Sequence, residues 1–220
     1  VPPGASGSLQ FSFATLPQSA GVFTNPEASL LLSATAVRQG GGAPVAITGI
    51  AQTKVTFTSN VSLGAQALHF SGPFSETGPM PPVVGQSTTY AIVLSLKNSS
   101  NALADGVVST VLPPYVTFVG ADMSSNEQVS YDDTTRTVTW SLGDVKAGAG
   151  YTSAPRQAAF QVSFTPSLSQ VGSSPQLTGS VGFQGTDRFA QTSVTSQASA
   201  PTTQLTSDQQ FSQGMGVVSK

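Results

Sequence analysis

Cysteine is absent and histidine occurs once among the 220 residues of this chain. The absence of cysteine excludes disulfides, thiolate nucleophiles and zinc–thiolate sites together. A single histidine excludes a metal site built on several imidazoles, and a Ser–His–Asp triad would have to use His69. That residue lies in a strand-like segment, ALHFSG, which ends at a Gly-Pro break and has no nucleophile elbow beside it. The sequence therefore predicts a packed or exposed strand histidine, with no catalytic and no cofactor-binding residue.

Charge is also scarce, because only 8% of the residues are Asp, Glu, Lys or Arg, against about 25% in a typical chain. The net charge is −2 and the eight cations are scattered. Binding of nucleic acid requires cations gathered on one face, so we expect no nucleic-acid partner. A surface that relies on hydroxyl and amide groups for solubility is typical of an extracellular stalk or wall protein.

Long apolar runs are missing as well. The cluster Leu30–Leu32 is far shorter than the roughly 20 residues that span a bilayer, and no apolar run approaches that length. The start at Val1–Pro3 has no signal-peptide pattern. We therefore expect no membrane span in this chain, and we expect any export signal or anchor to lie outside it.

What the chain does contain is strand periodicity, interrupted by turn residues at short intervals, as expected for an all-β fold. Side chains two apart share a face of a strand, which gives two apolar faces: Tyr90, Ile92, Leu94 and Leu96, and Val138, Trp140 and Leu142. The predicted strands are 8–15, 27–38, 45–51, 53–59, 65–70, 86–97, 104–112, 115–120, 127–131, 136–142, 157–165, 175–185, 188–197 and 201–206.

The pattern predicts two tandem immunoglobulin-like β-sandwich domains with Greek-key connections. Residues 85–208 are interpreted as one complete sandwich, and residues 209–220 as a tail or a final edge strand. The proline-rich segment 71–84 is interpreted as a semi-rigid linker. Residues 1–70 are interpreted as an immunoglobulin-like β domain that corresponds to the C-terminal half of the same kind of repeat.

The reason for that last interpretation is a weak internal similarity between 9–18, 25–37 and 52–60 on one side and 160–170, 174–185 and 191–208 on the other. Half a sandwich would leave an apolar face and open strand edges in water. Three alternatives follow: an upstream half is missing, another chain completes the domain, or the domain is complete with fewer strands.

Motifs in the second region support a family resemblance over about 65 residues. They are the opening at Val84–Tyr90, the turn at Lys97–Asn101, the corner LPPYVTFV at Leu112–Val119, and the strand signature YDD followed by TVTWSLG at Tyr131–Gly143. In these motifs the chain resembles the β-sandwich repeats of prokaryotic cell-surface and cell-wall proteins. One departure is Val145, where the family usually has Leu. The resemblance implies tandem extracellular surface architecture and no enzyme activity.

The densest acidic group is formed by Asp122, Glu127, Asp132 and Asp133. Calcium requires six to eight oxygen ligands, and these four side chains are the candidates for such a site. The alternative is that YDDTTRT is an ordinary turn, in which an aspartate caps backbone N–H groups.

The sequence favours a non-catalytic structural segment of an extracellular bacterial surface protein: a stalk, cell-wall or surface-layer module. Its partners would be other domains of the same protein or neighbouring copies. One alternative is an adhesin that binds a glycan or a protein through loops 120–127 or 150–156. Another is an assembly or filament subunit that exchanges strands, in which residues 1–70 pair with another molecule.

Overall fold

A computed structural model describes residues 5–12, 23–38, 43–124 and 126–220. Its regular elements are strands and one short 3-10 helix at Leu168–Gln170, which confirms the all-β prediction. The strands are β1 (Glu27–Arg38), β2 (Val45–Thr56), β3 (Val61–Leu68), β4 (Thr88–Asn98), β5 (Leu103–Val111), β6 (Val116–Ala121), β7 (Gln128–Asp132), β8 (Thr137–Val145), β9 (Arg156–Phe164), β10 (Val181–Asp187) and β11 (Thr192–Ala198).

Nine of these strands form two antiparallel sheets that pack face to face. One sheet has the order β11-β10-β5-β8-β7, and the other has the order β3-β4-β9-β6. The two apolar faces predicted on β4 and β8 lie in one continuous core, in which Tyr90 and Trp140 are fully buried. Burying one large apolar side chain contributes about 1.5–3 kcal/mol, so this core supplies the main stabilising term of the sandwich.

The predicted corner at Leu112–Val119 is held by an arginine from the next turn. Arg136 Nε donates to the Leu112 carbonyl oxygen at 3.2 Å, and Nη2 donates to the Pro113 carbonyl oxygen at 2.7 Å and to that of Val116. Three backbone carbonyl groups thereby gain a side-chain donor at the place where the chain leaves β5 for β6.

The structure differs from the predicted domain boundaries at residue 70. Strand β3, which the sequence analysis placed in a first domain, pairs with β4 along its whole length, from Val61–Asn98 to Leu68–Ala91. Alternating burial of Val61 and Leu63 places one face of β3 in the core of the sandwich. An edge strand with one buried face is fixed by that face, so β3 belongs with the residues that follow it.

The segment 71–84 packs on the sandwich instead of separating two domains. Ser219 N–H donates to the Pro82 carbonyl oxygen at 2.8 Å, and Val84 N–H donates to the Ser219 carbonyl oxygen at 3.0 Å. Residues 209–220, predicted as a tail or edge strand, therefore close against 82–84, with Val218 buried.

Several predicted strand limits are wrong. Residues 8–12 of the predicted strand 8–15 have no strand structure, and 13–15 lie outside the described residues. Strand β10 begins at Val181 and not at 175, and 201–206 contains no strand. The separately predicted strands 45–51 and 53–59 are one strand, β2, which ends at Thr56.

Candidate interaction surface

Strands β1 and β2 form a hairpin, here called the ribbon, that stands apart from the sandwich sheets. The two strands pair over their full length, from Glu27–Thr56 to Arg38–Val45. Among the described strands, none adds to either edge of the ribbon. Every ribbon side chain is exposed except those of Ala28, Leu30 and Val55, which are half-buried.

The two faces of the ribbon differ in composition. Residues directly opposite each other in an antiparallel pair share a face, so the register assigns each side chain to one side. One side, here called the apolar face, has nine apolar side chains among its twelve positions: Ala28, Leu30, Leu32, Ala34, Ala36, Val45, Ile47, Ala51 and Val55. Its other positions are Arg38, Gly49 and Thr53. The opposite face has four apolar side chains among twelve: Leu31, Val37, Ala46 and Ile50.

The apolar face is open to solvent in the single chain. Leu32 is 52% exposed, Val45 58% and Ile47 51%. A strand rises about 3.4 Å per residue, so the ribbon is about 40 Å long. An isolated two-stranded hairpin is marginally stable in water, and an exposed apolar patch of this extent marks an interaction surface. The ribbon is therefore the candidate functional site of the chain.

A buried asparagine joins the ribbon to the sandwich. Asn101 lies in the turn between β4 and β5 and has no solvent exposure. Its Oδ1 accepts a hydrogen bond from the Asn25 N–H at 3.1 Å, just before β1. Its Nδ2 donates to the Phe57 carbonyl oxygen at 2.8 Å, just after β2. One side-chain amide thus holds both strands at the base of the ribbon.

Asp187, at the end of β10, fixes the position of that asparagine. Its Oδ2 accepts from Asn101 Nδ2 and from the Ser59 N–H, each at 2.8 Å, and its Oδ1 accepts from the Phe189 and Ala190 N–H groups at 2.9 Å. Burial alone would raise the pKa of Asp187, but these hydrogen bonds outweigh it and hold the pKa below its usual value. The carboxylate is thereby kept ionised at neutral pH without a cationic partner.

Asp208 plays the corresponding part at the other end of β3. Its Oδ2 accepts from the His69 and Phe70 N–H groups at 2.8 Å, and its Oδ1 accepts from Ser71 Oγ at 3.1 Å. Here too burial would raise the pKa, and the hydrogen bonds from the 69–71 turn lower it below the usual value. The segment that follows β11 is tied in this way to the turn that follows β3.

Two of the calcium candidates cap local turns. Asp122 Oδ1 accepts from the N–H and the Oγ of Ser124, at 2.9 and 2.6 Å. Asp132 Oδ1 accepts from the Thr134 and Thr135 N–H groups, and these bonds lower its pKa. Asp133 beside it is exposed. The contacts of Asp132 are those of the alternative given above, in which YDDTTRT is an ordinary turn and an aspartate caps its backbone N–H groups.

The fourth candidate, Glu127, faces the protein and binds an arginine. Its two oxygens accept from Arg156 Nε and Nη2 at 2.5 and 2.6 Å, and Trp140 Nε1 donates to Oε2 at 2.8 Å. Burial would raise the pKa of Glu127, but these partners lower it. Among the residues that the structure describes, no three acidic or histidine side chains gather into a possible metal site.

Glu127 and Arg156 also bring together the loops 120–127 and 150–156 that were proposed to bind a ligand. Met123 is 89% exposed and Tyr151 is 46% exposed in these loops. A second surface, a shallow groove of about 610 Å³, lies over β5, β10 and β11. Its lining is mostly hydroxyl and amide side chains: Ser109, Gln184, Thr186, Thr195, Ser196 and Gln197. Binding of a glycan or a protein at the two loops stays a prediction.

His69 is packed at the end of β3. Its Nδ1 lies 2.9 Å from the Thr89 carbonyl oxygen, and its ring contacts those of Phe70 and Tyr90. The sequence analysis gave no role to Asn101, Asp187 or Asp208. The available signal was a short polar turn, Asn98–Asn101, between two apolar strands, but its partners lie far away in sequence.

No helix among the described residues is long and apolar enough to cross a membrane. No protein-family model matches this chain, and no curated protein matches it. The resemblance to surface-protein repeats therefore stays a prediction from the motifs.

Solved structures of bacterial pilin subunits are similar to this chain in fold. The full-length major pilin SpaD from Corynebacterium diphtheriae is 10% identical, with a TM-score of 0.42, over 89% of this chain and 63% of that one. BcpA, the major pilin subunit of Bacillus cereus, is 8% identical, with a TM-score of 0.38, over 74% of this chain and 58% of that one. A variant of BcpA is 9% identical, with a TM-score of 0.40, over 78% and 48%. The chain thus spans between about half and two thirds of the length of these solved chains.

Proposed function

We propose that this chain is a non-catalytic structural module of an extracellular bacterial surface protein. In this proposal the ribbon joins the module to a neighbouring protein surface. The observation that carries this proposal is the position of the two connections. The ribbon is attached at the Asn101 end of the sandwich, where β3 begins beside Asn98. The last residues pack at the opposite end, where Ser219 pairs with Val83.

This arrangement suits a module that is loaded along its length. A pull between Phe57 and Ser219 acts along β3, which is hydrogen-bonded to β4 from Val61 to Leu68. Hydrogen bonds that lie across the direction of pulling resist together, whereas a strand peeled from one end loses them one at a time. The carboxylates of Asp187 and Asp208 hold the two ends of β3 to other parts of the sandwich.

The placement of the acidic groups supports the non-catalytic part of the proposal. Asp187, Asp208 and Glu127 each bind backbone N–H groups or a fixed side chain. General acid–base catalysis needs a titrating group that reaches a substrate in a cleft. These carboxylates are instead bound by the protein on both oxygens.

Single-molecule force spectroscopy tests the load-bearing role, with identical handle domains attached before residue 57 and after residue 220. We expect one discrete unfolding event of the sandwich at high force. Asp187→Asn and Asp208→Asn should each lower that force, because one end of β3 is released. The matched control is Asp133→Asn, an exposed turn residue outside the β3 connections. Gradual extension at low force, without a discrete event, contradicts the proposal.

The extracellular location needs a separate measurement. An antibody against the sandwich should label intact cells of the source organism. Labelling that requires lysis would place the chain inside the cell and end this part of the proposal.

A further inference from the structure

The apolar face of the ribbon has a size pattern that fits a second copy of itself. Large side chains occupy one diagonal of the face: Leu30 and Leu32 near the base of β1, and Val45 and Ile47 near the tip of β2. Small positions occupy the other diagonal: Ala34 and Ala36 on β1, and Gly49 and Ala51 on β2. On β1 the large and small positions are therefore complementary about the middle of the strand, whereas the base of β2 carries Thr53 and Val55.

We propose that this face is covered by the same face of a second copy of the chain, with the two ribbons antiparallel. The inference rests on the proposed function, in which the ribbon is the joint to a neighbouring surface. When the ribbons are centred on each other, β1 lies over β1 of the second copy in the reverse direction. Leu30 and Leu32 of one copy then lie over Ala36 and Ala34 of the other, so on β1 large side chains enter hollows, as in facing sheets. On β2 the same register places Ile47 over Thr53, Val45 over Val55 and Gly49 over Ala51.

Charge selects the antiparallel orientation. The only charged side chain on the apolar face is Arg38, at the tip. Parallel ribbons would bring the two Arg38 guanidinium groups together at one end, and like charges at such a place repel. Antiparallel ribbons place the two arginines at opposite ends of the pair.

The size of the face sets the strength of the pairing. A ribbon about 40 Å long and about 10 Å wide offers about 400 Å² of flat area on one side. A stable interface buries about 800 Å² from each partner. The ribbon pair therefore forms at high local concentration, as on a crowded surface, and dissociates on dilution.

The test is sedimentation analysis of the full chain from low micromolar to millimolar concentration. We expect a reversible monomer–dimer equilibrium. Leu32→Lys places a charge on the apolar face and should weaken the dimer about tenfold or more. The matched control is Leu31→Lys, the adjacent residue on the opposite face, which should change the dissociation constant by less than about twofold. Both positions are exposed, and thermal unfolding of each variant verifies that the sandwich is intact.

Thiol crosslinking tests the orientation, because the chain has no cysteine of its own. A mixture of Leu32→Cys and Ala34→Cys chains should be joined into a covalent heterodimer by a short bis-maleimide that spans the roughly 10 Å between facing sheets. Parallel ribbons would instead bring residue 32 over residue 51, so efficient trapping of Leu32→Cys with Ala51→Cys overturns the antiparallel arrangement. A chain that stays monomeric at every concentration overturns the pairing itself. The force measurement uses a single chain, so its result is independent of this one.

Discussion

Asp187 and Asp208 hold the two ends of the same strand. Asp187 accepts the Ser59 N–H just before β3, and Asp208 accepts the His69 and Phe70 N–H groups just after it. Both residues are buried, and they lie 128 and 139 positions from their respective partners in sequence. An edge strand is the part of a sheet with the fewest neighbours, so its ends are where unfolding begins. The two carboxylates oppose that step.

The first prediction concerns the stability that Asp187 provides. Asp187→Asn removes charge-assisted hydrogen bonds from a buried site and should reduce the free energy of unfolding by about 2–3 kcal/mol. Urea denaturation measures the change. Asp133→Asn, in an exposed turn, should stay within about 0.5 kcal/mol of the unchanged chain. Equal effects of both substitutions would show that the buried carboxylate has no special role.

The second prediction concerns acid. The folded pKa values of Asp187 and Asp208 lie below the usual one. Their contribution is therefore complete above the unfolded value of about 3.9 and is lost as the pH falls through the lower folded values. The stability of the chain should drop steeply below about pH 4. In the double variant Asp187→Asn/Asp208→Asn the curve should be flatter in that range, as followed by thermal unfolding at a series of pH values. An unchanged slope would assign acid sensitivity to other groups.

A third prediction uses the only tryptophan of the chain. Glu127→Gln leaves the Arg156 guanidinium without its anion and weakens the Trp140 hydrogen bond, so it should cost about 1–2 kcal/mol. The unfolding transition followed by Trp140 fluorescence measures this directly. The control is Glu27→Gln. The side chains of Lys54 and Glu27, which form an ion pair, are 63% and 44% exposed, and exposed ion pairs contribute little to stability. An equal loss of unfolding free energy in Glu27→Gln would contradict the prediction that Glu127 contributes more to stability than Glu27.

The fourth prediction concerns calcium. Glu127 is bound by Arg156 and Trp140, and Asp132 caps its own turn. We therefore expect the melting temperature to be the same in excess EDTA and in millimolar calcium. A rise with calcium that disappears in Asp122→Asn would restore the site considered from the sequence.

The inward faces of β4 and β8 were predictable because alternation in sequence is a local signal of one-sided burial. The prediction for β2 was wrong, because it divided the strand at Gln52. Neither face of the ribbon is buried in the sandwich, so burial does not mark where this strand continues. The domain boundary near residue 70 failed for a related reason. Two glycines and four prolines at 72–82 look like a linker, but hydrogen bonds to Ser219 hold this segment on the sandwich.

The polar connections were beyond local sequence analysis. Asp187 and Asp208 are isolated acids in the sequence, and nothing near them indicates that each binds a distant backbone. The family resemblance covered the part of the chain from Val84 to Gly143 and did not include Ser59 or His69. Long-range capping of this kind is decided by the packed fold, in which β3 reaches the edge of the sheet.

The face of the ribbon also limits how far an assembly can grow. A contact in which both copies use the same face occupies that face in one step, so two ribbons that meet in this way leave neither apolar face open to a third copy. Pairing through this face would therefore produce closed pairs of sandwiches. Any fibre or lattice made from this chain would extend through a different contact.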